Sequence, residues 1–132
     1  MTFELADVAR LTVTVPFDVV FVFDAVHDQV DPEAMLDRIH AALVPGGLLY
    51  LREPHAADTL AENMTNPAAP MLYSVSTLHC LTVSLAHGGA GIGTAFGEAM
   101  ARSLLTGAGF GDPDLRPAPG SPFDAVYLTR RS

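Results

Sequence analysis

The feature that most limits what this chain can fold into is a pair of apolar runs separated by one amphipathic segment, all within residues 17–54. The stretch is FDVVFVFDAVHDQVDPEAMLDRIHAALVPGGLLYLREP. Residues 17–23 are β-branched or aromatic apart from Asp18, the composition of a strand buried on both faces. A polar cluster, His27-Asp28-Gln29, follows. Asp31 is then placed to cap a helix, with Pro32 at the first helical position, where a missing N–H costs nothing. Met35, Leu36, Ile39 and Leu43 recur at helical spacing and form one apolar face. Pro45-Gly46-Gly47 stops the helix, and Leu48 to Leu51 begins a second apolar strand. Strand, helix, strand at this spacing predicts the crossover unit of a parallel sheet.

The order of the polar groups carries a functional hint. In open parallel sheets, ligands sit beyond the carboxyl ends of the strands. Asp24, His27 and Asp28 end the first strand, and Arg52, Glu53 and His55 end the second, so both clusters are predicted to face one rim. The plainer alternative is that these are ordinary polar loop residues.

Composition narrows the function classes. At 132 residues the chain is one domain at most, and with 49% hydrophobic and 17% charged residues it is globular in type. Its formal charge of −8 opposes phosphate backbones, so nucleic acid is not an expected partner. The single cysteine, Cys80, excludes an internal disulfide and suits a reducing compartment. The N-terminal MTFELADVAR lacks the pattern of a signal peptide, and no apolar run reads as a membrane span. These observations predict a cytoplasmic protein with no membrane partner, in which the Asn63-Met64-Thr65 acceptor pattern is chance.

With these residues in place, the stretch from Phe17 to Pro54 resembles the fourth strand, following helix and fifth strand of class I S-adenosylmethionine-dependent methyltransferases. The carriers are FDAVHD, then DP, then LVPGGLLYLREP. Further on, AENMTNPAAPMLYSVSTLHC, a glycine-rich link, GEAMARSLLTGAGF and PFDAVYLTRR resemble a bacterial small-molecule subgroup of that family. The resemblance implies an α/β fold: a partial Rossmann-like methyltransferase sheet, mainly parallel, with a C-terminal antiparallel hairpin. It also implies a single incomplete domain over residues 1–132, because the family's glycine-rich, donor-holding turn belongs upstream of Asp7. Such a fragment is expected to leave the strand at residues 17–23 with an unpaired edge. It is then expected to self-associate, or to pair with a chain carrying the missing half.

The same resemblance assigns roles. S-adenosylmethionine is the implied cofactor and a small molecule the implied methyl acceptor, with the accepting atom (oxygen, nitrogen or carbon) left open. Asp7 is placed to accept a hydrogen bond from the adenine amino group, and Asp24, His27 and Asp28 to line the cofactor site. Glu53, Tyr73 and His79 fall on the acceptor side, and His27 or His79 is a candidate base. By residue type alone, Asp7 reads as an acidic turn residue and His79 as a core histidine with a satisfied hydrogen bond. His79 and Cys80 are adjacent, so their side chains diverge; with no other ligand spacing visible, no metal site is expected.

The remaining chain is less informative. Phe3 to Leu5 is a candidate strand, and Leu11 to Val15 alternates apolar residues with Thr. A helix is predicted over 56–64, broken by Pro67 and Pro70, and residues 73–85 are mixed. A second helix is predicted over 94–106, buried through Phe96, Met100 and Leu104, ending at Gly107 or Gly109 with Phe110 packing back. Strands are predicted at 112–116 and 123–129, joined by a turn at Gly120-Ser121-Pro122. Two other functions stay open: a non-catalytic remnant or partner subunit, and an unrelated nucleotide-binding module. The latter would use Gly89-Ala90-Gly91-Ile92-Gly93 after a strand-like LTVSL, with Asp112 and Asp114 about 20 residues on.

Overall fold

The computed structural model describes residues 2–132. The predicted crossover unit is present: strand β1 (Phe17–Phe23), helix α1 (Pro32–Ala42) and strand β2 (Leu43–Pro54), with β1 and β2 paired in parallel. Helix α1 begins as its residues dictate, with Asp31 accepting a hydrogen bond from the Ala34 amide and Pro32 in the first turn. Leu43 is not on the helix face; it is the first, fully buried residue of β2. Nor does Pro45-Gly46-Gly47 separate the elements. It lies inside β2 and shifts the register, so that Phe17 pairs with Leu43 but Val19 with Leu48. Gly46 takes φ 77° there, and a Cβ on Gly47 would meet the Val44 carbonyl at 2.8 Å.

A helical roof follows β2. It comprises the short helix α2 (Leu60–Asn63), helix α3 (Ala69–Val75), a π turn over Ser76–Cys80 and helix α4 (Leu81–Ala86). Only four residues of the helix predicted over 56–64 form, held by a capping box between Thr59 and Glu62. Pro70 does not break a helix; it sits in the first turn of α3, where its missing N–H is harmless. Residues 73–85 are continuously helical, and LTVSL is helix rather than strand. The segment Ala69–Ala86 is 18 residues with mean hydropathy 1.2, long and apolar enough by length and composition to cross a membrane. Ser, Thr and His interrupt the stretch, so it does not stand out as a continuous apolar run.

Helix α5 (Gly97–Gly107) is followed by strands β3 (Asp114–Pro117) and β4 (Asp124–Arg130), which form the predicted antiparallel hairpin. Helix α5 starts later than predicted and buries Ala101, Leu104 and Leu105, while Met100 is exposed. Its phase follows from the i, i+3, i+4 contact with the sheet. Gly109, at φ 88°, ends it, and Phe110 packs back edge-on against His40. The sheet order is β1-β2-β4-β3, with β2–β4 and β3–β4 antiparallel.

All helical cover lies on one face. Leu49 and Leu51 of β2 and Ala125 and Tyr127 of β4 are buried against Met35, Leu36, Ile39, Ala101 and Leu105. On the other face, Phe17, Val19, Phe21 and Phe23 are 40–60% exposed, so the expectation that β1 is buried on both sides is corrected. Within this chain β1 is an edge strand with no layer beyond it. Its Phe21 and Phe23 rings cluster with Tyr50, at centroid distances of 5.5–6.1 Å. Phe3 to Leu5 and Leu11 to Val15 form no strand.

These contacts predict contrasting costs. Leu51→Ala, at a site 1% exposed, should destabilise the chain by about 2–5 kcal/mol in urea unfolding. Leu78→Ala, at a site 81% exposed, should change stability by no more than about 0.5 kcal/mol.

Candidate active site

The site is built where β1 and β2 end together. The Asp24 amide donates to the Arg52 carbonyl at 2.8 Å, one residue beyond the strand. Asp24 then takes φ 52°, a left-handed conformation that Asp tolerates better than most side chains. The turn this produces leads into a short 3₁₀ turn, Val26–Asp28. Its first amides lack backbone partners, as at any helical start. Glu53, near the end of β2, satisfies them: Oε1 accepts from the Ala25 amide at 3.0 Å and from the Val26 amide at 2.8 Å.

The other Glu53 oxygen meets His27 Nδ1 at 2.5 Å. Glu53 is fully buried and His27 is 3% exposed. Because Nδ1 faces a carboxylate, the ring hydrogen is assigned to Nδ1, which leaves Nε2 as the free nitrogen. Asp28 Oδ1 lies 3.4 Å from Nε2, and Asp24 Oδ1 lies 3.9 Å from Nδ1. Burial alone would lower the His27 pKa. The Glu53 hydrogen bond and the charges of Glu53, Asp28 and Asp24 outweigh it, so the net shift is upward from 6.5.

These groups open onto a cleft of about 500 Å³ between the strand ends and the helical roof. Asp24, His27 and Asp28 line one wall; Val75, His79 and Cys80 line the other. His79 is exposed on that wall, so the core-histidine alternative does not hold for it. Cys80 is buried and accepts a hydrogen bond from the Thr94 hydroxyl at 2.9 Å, and burial raises its thiol pKa. Arg52 and Asp124 pair at 2.5 Å beside a smaller recess that also contains Asp24 and Glu53.

The structure therefore brings Asp24, His27, Asp28, Glu53 and His79 to one place. Glu53 stands behind the wall with both oxygens committed to the protein, so its role here is to hold His27. Tyr73 is elsewhere: its hydroxyl accepts from Asn63 Nδ2 at 3.2 Å, and it lines a separate recess of about 450 Å³. Six residues apart on one continuous helix, Tyr73 and His79 lie about 120° apart around its axis and so face different surfaces. Asp7 lines neither cleft; it caps the turn Val8–Arg10 through the Ala9 amide and pairs with Arg10.

One sequence expectation needs correction. Gly89 to Gly93 is not a strand–turn–helix site, since the helix α4 precedes it. It packs instead on Val30 and Ser84, through the Ala90 amide to the Val30 carbonyl and the Gly91 amide to Ser84 Oγ. The fold also draws together a group of side chains that no local spacing connects. His27, Asp28 and Cys80 each offer a ligand atom within 4.8 Å of the others. No local signal marks this group, because its members come from segments that only the fold brings together.

The Glu53–His27 contact makes a pH prediction. His27 holds its proton more tightly when folded, so its contribution to stability is complete below 6.5 and fades as pH rises through the raised value. Glu53→Gln should lower the His27 pKa in an NMR titration. It should also cost on the order of 3 kcal/mol in urea unfolding, because it breaks a buried pair.

No family model and no curated protein matches this sequence. Solved structures do. TnmH superposes with a TM-score of 0.78 at 19% identity, over 99% of this chain and 35% of its own. An O-methyltransferase family protein from Burkholderia thailandensis gives 0.69 at 18%, over 99% and 36%. Human N-acetylserotonin methyltransferase, solved in complex with S-adenosylmethionine, gives 0.63 at 20%, over 98% and 33%. The chain spans about a third of the length of each of these structures. At such identities the likeness is one of architecture, and this chain has a methyltransferase-like fold.

Proposed function

We propose that this chain forms the acceptor side of an S-adenosylmethionine-dependent methyltransferase acting on a hydroxyl group of a small molecule. The observation that carries this reading is His27, held by the buried Glu53 carboxylate with Nε2 turned toward the cleft. A base needs a fixed ring orientation and a free nitrogen within reach of the acceptor proton. Glu53 fixes the first and the strand-end turn supplies the second. The choice of oxygen is supported by the O-methyltransferase among the structural neighbours.

S-adenosylmethionine, when bound, supplies an electrophilic methyl group. The residues present fit one side of such a cofactor. The Asp24 carboxylate is 72% exposed at the cleft mouth, free to accept from amino or hydroxyl groups. With the donor bound, His27 would hold the proton of the acceptor hydroxyl at Nε2, and Glu53 would stabilise the resulting imidazolium. Val75 and the helical roof exclude water from the acceptor, and His79 contacts it from the opposite wall. Alignment and dehydration supply most of the rate in such a displacement.

One observation favours pairing with a further chain or segment. The bare face of β1 presents Phe17, Val19, Phe21 and Phe23 beside an unpaired strand edge. Such an edge recruits a partner strand, and such a face a covering layer. The fitting partner carries the glycine-rich half that holds the donor, and without it the chain binds the cofactor weakly.

Two measurements test this. NMR shift mapping with S-adenosylhomocysteine and catechol should perturb the amides of Asp24, Val26, His27 and His79; perturbations confined to the Tyr73 recess or to Gly89–Gly93 would refute the site. Analytical ultracentrifugation should show self-association that Phe21→Lys weakens by about tenfold or more. A clean monomer at high concentration would remove the pairing proposal.

A further inference from the structure

The geometry points to a transition-metal site, suited to Zn²⁺, formed by His27 Nε2, Asp28 Oδ1 and Cys80 Sγ. The site faces the cleft, which leaves the fourth coordination position for water or a ligand oxygen. Metal binding here needs neither methyl donor nor acceptor, so it stands or falls separately from the proposed methyl transfer.

Several observations converge on it. Asp28 Oδ1 is buried and has no hydrogen-bond partner among the described residues, although it faces a histidine nitrogen and a thiol. An unpaired buried carboxylate oxygen costs free energy that a bound cation would offset. Its 3.4 Å distance from Nε2 lacks the geometry of a hydrogen bond. It does match the edge of a tetrahedron whose nitrogen and oxygen ligands lie about 2.1 Å from zinc. All three ligand atoms lie within 4.8 Å of one another, so a small contraction completes the set.

The surroundings have the outer parts of a metal centre as well. A ligating histidine usually donates its other ring nitrogen to a carboxylate, which fixes the ring and raises its basicity. His27 Nδ1 does this with Glu53 at 2.5 Å. The Thr94 hydroxyl sits 2.9 Å from Cys80 Sγ, placed to orient the sulfur. One nitrogen, one sulfur and one carboxylate oxygen make a borderline-soft set, which favours zinc or cobalt over magnesium or calcium.

The alternative cluster of Asp24, His27 and Glu53 does not serve. Its Nδ1 and Glu53 oxygen are already in direct hydrogen-bond contact, with no room for an ion between them. At Nε2, metal ligation and proton abstraction exclude each other, so an occupied site holds His27 out of general-base work.

Cobalt titration of the purified chain tests the site. Co²⁺ should bind one to one with a thiolate-to-cobalt charge-transfer absorption, and Zn²⁺ should displace it. Cys80→Ser should abolish that absorption and weaken Zn²⁺ by about 100-fold, and Asp28→Asn by at least about tenfold. Glu53→Gln should weaken it by about 10- to 100-fold. Circular dichroism checks that each variant is folded, and Asp28→Asn carries the test if Cys80→Ser is not. Absence of the charge-transfer band would overturn the proposal. So would zinc binding that survives Asp28→Asn and is lost instead in His55→Ala or His87→Ala.

Discussion

The arrangement at the strand ends depends on one buried carboxylate. Glu53 has no contact with water, yet its charge is met on every side: two backbone amides on Oε1 and an imidazole on Oε2. A buried carboxylate without such partners would neutralise or unfold its surroundings. Here it ties the end of β2 to the turn after β1, 26–28 residues away in sequence. Removing the parallel β1–β2 ladder would part those groups by more than a hydrogen bond can span. The ladder and the carboxylate therefore support each other, and the orientation of His27 is a consequence of both.

The same geometry explains why one histidine and not another stands ready for proton chemistry. His79 reaches the cleft but has no partner that orients its ring, and it is exposed. His27 is held at one nitrogen and offers the other. Its neighbours Asp28 and Cys80 make the offered nitrogen ambiguous in a useful way, since the surroundings that favour a proton also suit a soft cation. Proton uptake and the proposed metal ligation would compete for Nε2.

The sheet is covered on only one face, and its edge strand carries the most apolar run in the chain. Aromatic residues at 17, 21 and 23 are exposed because nothing within these residues lies over them. The solved structures with this architecture are about three times as long as this chain.

Much of the frame was legible in the residues themselves. The apolar run at 17–23, the Asp31-Pro32 start and the Leu48–Leu51 run specify strand, helix and strand, because periodicity and capping are local properties. The hairpin of β3 and β4 was legible for the same reason. The rim of Asp24, His27 and Glu53 followed from topology, since parallel neighbours end on the same side. Other outcomes belong to the tertiary structure alone. Whether Met100 or Ala101 faces the core depends on which stripe of α5 meets the sheet. LTVSL is helix as part of the roof over the strand ends, and Tyr73 lies off the cleft because six residues along one helix carry it to a different face from His79. The meeting of Cys80 with His27 and Asp28 spans more than 50 residues and has no local signature. A sequence declares which residues can bond; only the folded chain decides which of them come within bonding distance.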